Sequence, residues 1–150
     1  MRSLPRVRVT IPPLSAYFPT LHYFLNPRKG KWDWSDRVLS KYPKLAKRLE
    51  HVFDKHEREK IERNFFTHQL RTNQKMFSQK KRALQKSWNK INHPIMRALE
   101  NVVECEWPTK DKVFTSRLTV NPICPRQIKE RKFDLYYRKT ITNMKATSIH

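Results

Sequence analysis

The side chains able to hold a metal or run a hydrolysis are scattered through this chain. Its six histidines, His22, His51, His56, His68, His93 and His150, include no pair at i and i+4, the spacing that puts two imidazoles on one helical face. Cys105 and Cys124 form no Cys-x-x-Cys pair, so a zinc ion would need ligands gathered from afar. They read as free thiols rather than a bridge. Glu57, Glu59 and Glu62 make a charged helical face instead of opposing one another in a pocket, and no serine sits in a Gly-x-Ser-x-Gly turn. Cys105 and His93 make only a forced nucleophile–base pair, and Cys105 reads better as a buried cysteine at a helix end. A single glycine, Gly30, nearly excludes phosphate loops and nucleotide folds, whose backbones need positions only glycine adopts cheaply. The expectation is no enzyme, no cofactor, no metal and no small-molecule substrate.

What the chain does concentrate is positive charge. Its 150 residues carry 33 lysines and arginines against 13 acids, a formal net charge of +20. A free domain of this size usually carries a charge of magnitude about 2–8, so the excess calls for a polyanion to offset self-repulsion. The cations are unevenly placed. From Lys44 to Glu62 the signs are mixed, whereas Arg63 to Leu99 holds no acid and nine cations: Arg63, Arg71, Lys75, Lys80, Lys81, Arg82, Lys86, Lys90 and Arg97. Asparagine and glutamine side chains lie between them. Cations without acids nearby suit phosphate oxygens, and amides add contacts to sugar and base edges. The first 31 residues repeat the pattern, with Arg2, Arg6, Arg8, Arg28, Lys29 and Lys31 and no acid. Acid-free positive charge also marks mitochondrial import sequences, but Pro5, Pro12 and Pro13 break any clean amphipathic helix there. An uncleaved import signal and a basic tail lying on nucleic acid both fit.

The elements that must carry these charges divide the chain into three regions. Residues 1–34 read as an extended basic and aromatic arm, held open by proline rather than joined to a sheet. Its aromatics Tyr17, Phe18, Tyr23 and Phe24, with Trp32 and Trp34, are expected to seat in a neighbouring protein rather than in the chain's own core. Residues 35–107 are the helical region. Ser35 is a fair N-cap, Pro43 suits a first turn, and no proline or glycine falls between Lys44 and His93. Apolar residues recur there in steps of three and four, which supports one helix over Lys44–Asn92, roughly 74 Å at 1.5 Å per residue. A hairpin break near 54–59 or 71–74 stays open. On that helix Phe65, Phe66, Phe77 and Trp88 read as packing residues. A second, shorter helix would start at Asn92 with Pro94 in its first turn and end at Trp107-Pro108. Residues 108–150 then hold one strand over 113–120, which pairs with a second over 133–141 or with a neighbour's sheet edge, and a loose tail from Thr140. No apolar run approaches the about 18 residues a membrane span needs.

The fold expected is mainly α: a long basic helix plus a shorter one, an extended N-terminal arm and a small β element near the C-terminus, non-globular and stabilised by partners. A basic arm, a long charged helix and a terminal β element together resemble the design of lineage-specific mitochondrial ribosomal proteins. The resemblance is one of style and rests on no shared motif. It implies a structural protein of the matrix that neutralises ribosomal RNA and bridges neighbouring ribosomal proteins. Two other classes remain open. An accessory subunit of a respiratory or ATP-synthase complex would be similarly helical and poor in glycine. A DNA-packaging protein would use the same charges.

Overall fold

The computed structural model describes residues 3–27, 33–108 and 113–149. Its first element is a strand, β1 (Arg6–Thr10), in which arginine and valine alternate so that Val7 and Val9 are buried while Arg6 and Arg8 stay exposed. Pro12 and Pro13 end it. A 3-10 turn (Leu14–Ala16) leads into helix α1 (Phe18–Leu25), with Pro19 in its first turn. Two short helices follow, α2 (Ser35–Leu39) and α3 (Pro43–Leu49), the latter opened by Pro43. Ser35 is the first residue of α2 rather than its cap; Trp34 holds the cap position, and the Asp33 carboxylate accepts from Ser35 N–H at 2.8 Å.

The expected single helix is interrupted twice. The chain leaves helical geometry after Leu49 and restarts as α4 (Lys55–Thr72), because the Asp54 carboxylate accepts from Glu57 N–H at 2.8 Å and makes a strong N-cap. Asn73 then separates α4 from α5 (Gln74–Val103). The interruption is slight: Asn73 N–H still donates to Gln69 O, and Phe77 N–H to Asn73 O, so the chain does not turn back as a hairpin. The expected second helix at Asn92 does not exist separately, since α5 runs through Pro94 to Val103. A proline interrupts a helix by removing one N–H donor and crowding the preceding turn; here the helix continues through it, with Trp88 and Met96 buried on either side. Glu104 ends α5 in the left-handed region, φ 50°, where glycine is the usual residue.

Three more strands and a last helix complete the fold: β2 (Val113–Thr119), β3 (Arg126–Gln127), β4 (Lys132–Tyr136) and α6 (Ile141–Ile149). The sheet order is β1-β2-β4-β3, with β1, β2 and β4 parallel and β3 antiparallel to β4. Val7 pairs with Phe114, and Leu118 with Leu135. The β element is therefore not confined to the C-terminus, and residues 6–10 are part of it rather than of a free arm. Nor is the end of the chain loose, since α6 buries Met144 against the core.

Both faces of the sheet's C-terminal half are covered, as a parallel sheet requires. Register partners share a face, so Val9, Ser116 and Phe133 point one way, and Arg117 and Asp134 the other. On the first face α5 packs, with Phe77 stacked on Tyr137 at 4.5 Å. On the second lie the N-terminal helices. The Tyr42 hydroxyl donates to Val120 O, while Val120 N–H reaches the Tyr17 hydroxyl at 3.5 Å, so two tyrosines satisfy the peptide groups at the end of β2. Tyr42 meets Phe65, Phe66 and Tyr136 edge-on. The expectation of a non-globular chain fails on this core. One buried cluster draws Tyr17 and Leu21 from the supposed arm, Leu45, Phe66 and Trp88 from the helical region, and Leu118 and Tyr137 from the C-terminal region.

Candidate nucleic-acid interface

Helix α5 is sharply two-sided. Phe77, Leu84 and Trp88 are buried, while Lys75, Arg82, Lys86, Lys90 and Arg97 are exposed. At 3.6 residues per turn those five cations fall within a sector of about 80°, opposite the buried stripe. Lys81, Arg82, Gln85, Lys86, Asn89 and Lys90 line a shallow surface groove of about 520 Å³. Among the described residues Arg71, Lys75, Lys81, Arg82, Lys86 and Lys90 meet no acidic side chain.

Three of the expected cations are otherwise engaged. Arg63 pairs with Glu59 at 3.1 Å and lies over the Phe18 ring at 4.1 Å, and Arg97 pairs with Glu100 at 3.1 Å. The Lys80 ammonium donates to Lys139 O, tying α5 to the loop before α6. Acids just outside the acid-free run thus pair with its two ends. Arg6 and Arg8 are exposed on β1, while Arg2, Arg28, Lys29 and Lys31 lie outside the described residues.

The amides between the cations have a different use from the one expected. Gln85 Oε1 accepts from Val9 N–H at 2.8 Å, and its Nε2 donates to Val7 O at 3.0 Å. Asn92 repeats the pattern two residues back along the strand, accepting from Val7 N–H at 3.2 Å and donating to Pro5 O at 2.7 Å. A parallel strand makes the same bonds, taking the N–H of residue i+1 and giving to the carbonyl of residue i−1. The two side chains therefore close the outer edge of β1 as a neighbouring strand would. Gln85 stands opposite Arg8 along the strand and also lines the groove.

The open half of the same sheet face adds a cation that the sequence did not single out. Lys132 is in register with Thr115, which is in register with Arg8, so Arg8 and Lys132 point to the same side as Arg6. Lys132 also pairs with the exposed Glu130 at 3.0 Å. The pairing of β4 with β2 puts Lys132 there, and a sequence pattern carries no signal for it.

The aromatics expected to seat in a partner divide. Tyr17 and Phe18 are buried in the chain's own core, 2% and 1% exposed, which corrects that expectation: the prolines direct the segment back over the sheet instead of away from it. Tyr23 is exposed, and Phe24 and Trp34 are half-buried and edge-on at 6.3 Å. Trp32 lies outside the described residues. Phe65, Phe66, Phe77 and Trp88 are packing residues, as their spacing predicts. Cys105 is exposed just beyond α5 instead of buried, Cys124 is half-buried, and both thiols are free.

Two polar pairs are turned inward. Arg117 grips Asp134 with two bonds, Nε to Oδ1 at 2.6 Å and Nη2 to Oδ2 at 3.1 Å, across paired strands. Burial pushes the Asp134 carboxyl above its ordinary range, and the guanidinium opposes that push. His22 Nδ1 bonds the fully buried Glu62, joining α1 to α4; burial raises the Glu62 carboxyl while His22 and Arg58 counter it. Neither pair lines the groove on α5. Among the described residues no group of acids, histidines and cysteines could hold a metal, and no helix is long and apolar enough to cross a membrane. No protein-family model, no curated protein and no solved structure matches this chain.

Proposed function

We propose that this protein is a structural RNA-binding subunit of a large ribonucleoprotein, with a mitochondrial ribosome as the first choice. Ribosomal RNA would lie along α5, its phosphates on Lys75, Lys81, Arg82, Lys86 and Lys90, with Arg6, Arg8 and Lys132 on the adjoining sheet. The observation that carries this reading is the cationic stripe of α5, without acidic partners among the described residues at Lys75, Arg82, Lys86 and Lys90 and backed by a buried stripe on the opposite side of the same helix. A merely solvated helix face usually mixes its charges, since acids four residues away steady it. Tyr23, Phe24 and Trp34 would face neighbouring proteins.

The test is binding to structured RNA over a range of salt. Each phosphate neutralised adds roughly 0.7–0.9 to the slope of log K against log salt, so the triple variant R82Q/K86Q/K90Q should flatten it by about two to three. Replacing Lys80, which is held by Lys139 O, should leave the slope nearly unchanged. An unaltered slope in the triple variant would remove α5 from the interface. Co-sedimentation of the native protein with a membrane complex instead of ribosomal particles would overturn the assignment to a ribosome.

A further inference from the structure

Helix α5 offers a nucleic acid cations and almost nothing else. Its two large aromatic rings, Phe77 and Trp88, are both buried, so no row of rings faces outward for successive bases to stack on. His93 is the one exposed ring of the helix. The amides that could read base edges are largely committed. Gln85 and Asn92 each hold an N–H and a carbonyl along the edge of β1, and Asn89 Oδ1 accepts from Gln85 Nε2 at 3.0 Å. What remains is the row Lys75, Arg82, Lys86, Lys90 and Arg97, the last shared with Glu100. That row runs about 33 Å at 1.5 Å per residue, close to one turn of a double helix, about 34 Å. The opposite side of α5 is packed on the sheet, with Phe77 stacked on Tyr137, so the helix cannot sink whole into a groove.

We infer that the stripe takes double-helical RNA, gripped through its phosphates whatever the base sequence, a choice of ligand that rests on the RNA reading above. A single strand keeps its bases exposed, and proteins that hold one supply aromatic platforms as well as charge. A duplex stacks its own bases inside and presents its phosphates along a stiff rail. A row of cations on a rigid helix then meets a row already in place, and less has to be ordered on binding. The same lack of base contacts makes sequence irrelevant, because phosphate contacts position a partner and base contacts specify it. RNA suits the half-embedded helix better than DNA does. DNA is read in a major groove about 12 Å wide, which admits a whole helix, about 10–12 Å across. An A-form duplex is recognised by shape, across a wide and shallow minor groove that displays 2′-hydroxyls. A helix that shows only one side can lie over such a groove.

The experiment is fluorescence anisotropy of the full chain with four labelled probes. Two are RNA duplexes of unrelated sequence and about 16 base pairs, the span of a double-strand-binding domain. The others are a DNA duplex of the first sequence and an oligouridylate with as many phosphates. The two RNA duplexes should differ by less than about fivefold, the least that one good base contact confers. Each phosphate contact adds about 0.9 to the salt exponent on a duplex and about 0.7 on a single strand. Over five contacts that favours the duplex about tenfold at 0.1 M salt, from parity at 1 M. The DNA duplex should bind more weakly than its RNA counterpart. Gln79 is exposed on the stripe between Lys75 and Arg82. Gln79→Trp adds one platform, so it should tighten oligouridylate about fivefold or more and leave the duplexes nearly unchanged. Oligouridylate bound as tightly as the duplexes by the natural chain overturns the inference. So does a larger preference between the two RNA duplexes, or a Gln79→Trp that gains no single-strand affinity. In each of these cases the RNA reading survives if R82Q/K86Q/K90Q weakens binding. Failure of every probe to bind, or a DNA duplex bound as tightly as RNA, removes that reading as well.

Discussion

Removing the amides that close the outer edge of β1 should loosen that strand before anything else. In Gln85→Met the side chain keeps its length and loses both bonds, freeing Val9 N–H and Val7 O. Asn92→Leu does the same to Val7 N–H and Pro5 O. A hydrogen bond contributes a net ~0.5–1.5 kcal/mol, so two bonds come to about 1–3 kcal/mol for either substitution. For a chain of this length that corresponds to a fall in Tm of roughly 2–12 °C. The sharper readout is amide exchange. The Val7 and Val9 N–H groups should exchange roughly five- to a hundredfold faster, since about 1.4 kcal/mol is a factor of ten. The Leu118 amide, in the middle of the sheet, should change far less. Because both side chains hold one strand, the double variant should cost less than the sum of the two. Gln85→Glu is an internal check, since it keeps the acceptor and loses the donor until acid restores a proton. If stability falls while Val7 and Val9 exchange as before, the loss is one of packing and the edge-strand account is wrong.

Three other outcomes follow from the buried charges and from the non-glycine residue that ends α5. Arg117→Met alone should cost about 3–5 kcal/mol by leaving Asp134 buried and unpaired, whereas Arg117→Met with Asp134→Leu should recover most of it; urea titrations of both variants decide this. Glu62 has a carboxyl raised by burial, so the folded chain takes up its proton more readily than the unfolded one. Folding therefore gains from Glu62 as pH falls through the raised value towards the ordinary glutamate range, and loses that gain as pH rises. The advantage of Glu62→Gln over the natural residue should be widest near neutrality and shrink on acidification, as thermal melts across that window would show. Glu104 closes α5 at φ 50°, so Glu104→Gly should stabilise the protein by about 0.5–1 kcal/mol, read from the midpoint of chemical unfolding.

Periodicity over Lys55–Val103 made most of the helical structure legible, because a buried face recurring every three to four residues is a local property. The break before α4 was less visible. Its signal, Asp54 followed by Glu57, is a capping pattern that stood inside an otherwise uninterrupted polar stretch. The strand β1 was legible in principle: Arg6-Val7-Arg8-Val9-Thr10 alternates strictly. The prolines around it outweighed that alternation, although they only limit the strand's length. The burial of Tyr17 and Phe18 had no local signature, because the groups that cover them come from α4 and from the end of β2. For the candidate interface the sequence picked out the acid-free run, yet could not tell which of its members would be engaged. Glu59, Glu100 and the carbonyl of Lys139 pair with Arg63, Arg97 and Lys80 only once the helix and α6 are in place.

The amide-closed edge also bears on the order in which the protein is made. Val7 pairs with Phe114, so β1 leaves the ribosome more than a hundred residues ahead of its partner strand. At about 5–20 residues per second that lead lasts roughly 5–20 s. Gln85 and Asn92 arrive well before β2 does, separated from their β1 partners by 76 and 85 residues respectively. Helix α5 can thus hold one side of the nascent strand while its other side is still vacant. The helix then serves as a jig on which the sheet is assembled, and an unpaired valine-rich strand spends less time free to join a strand of another chain.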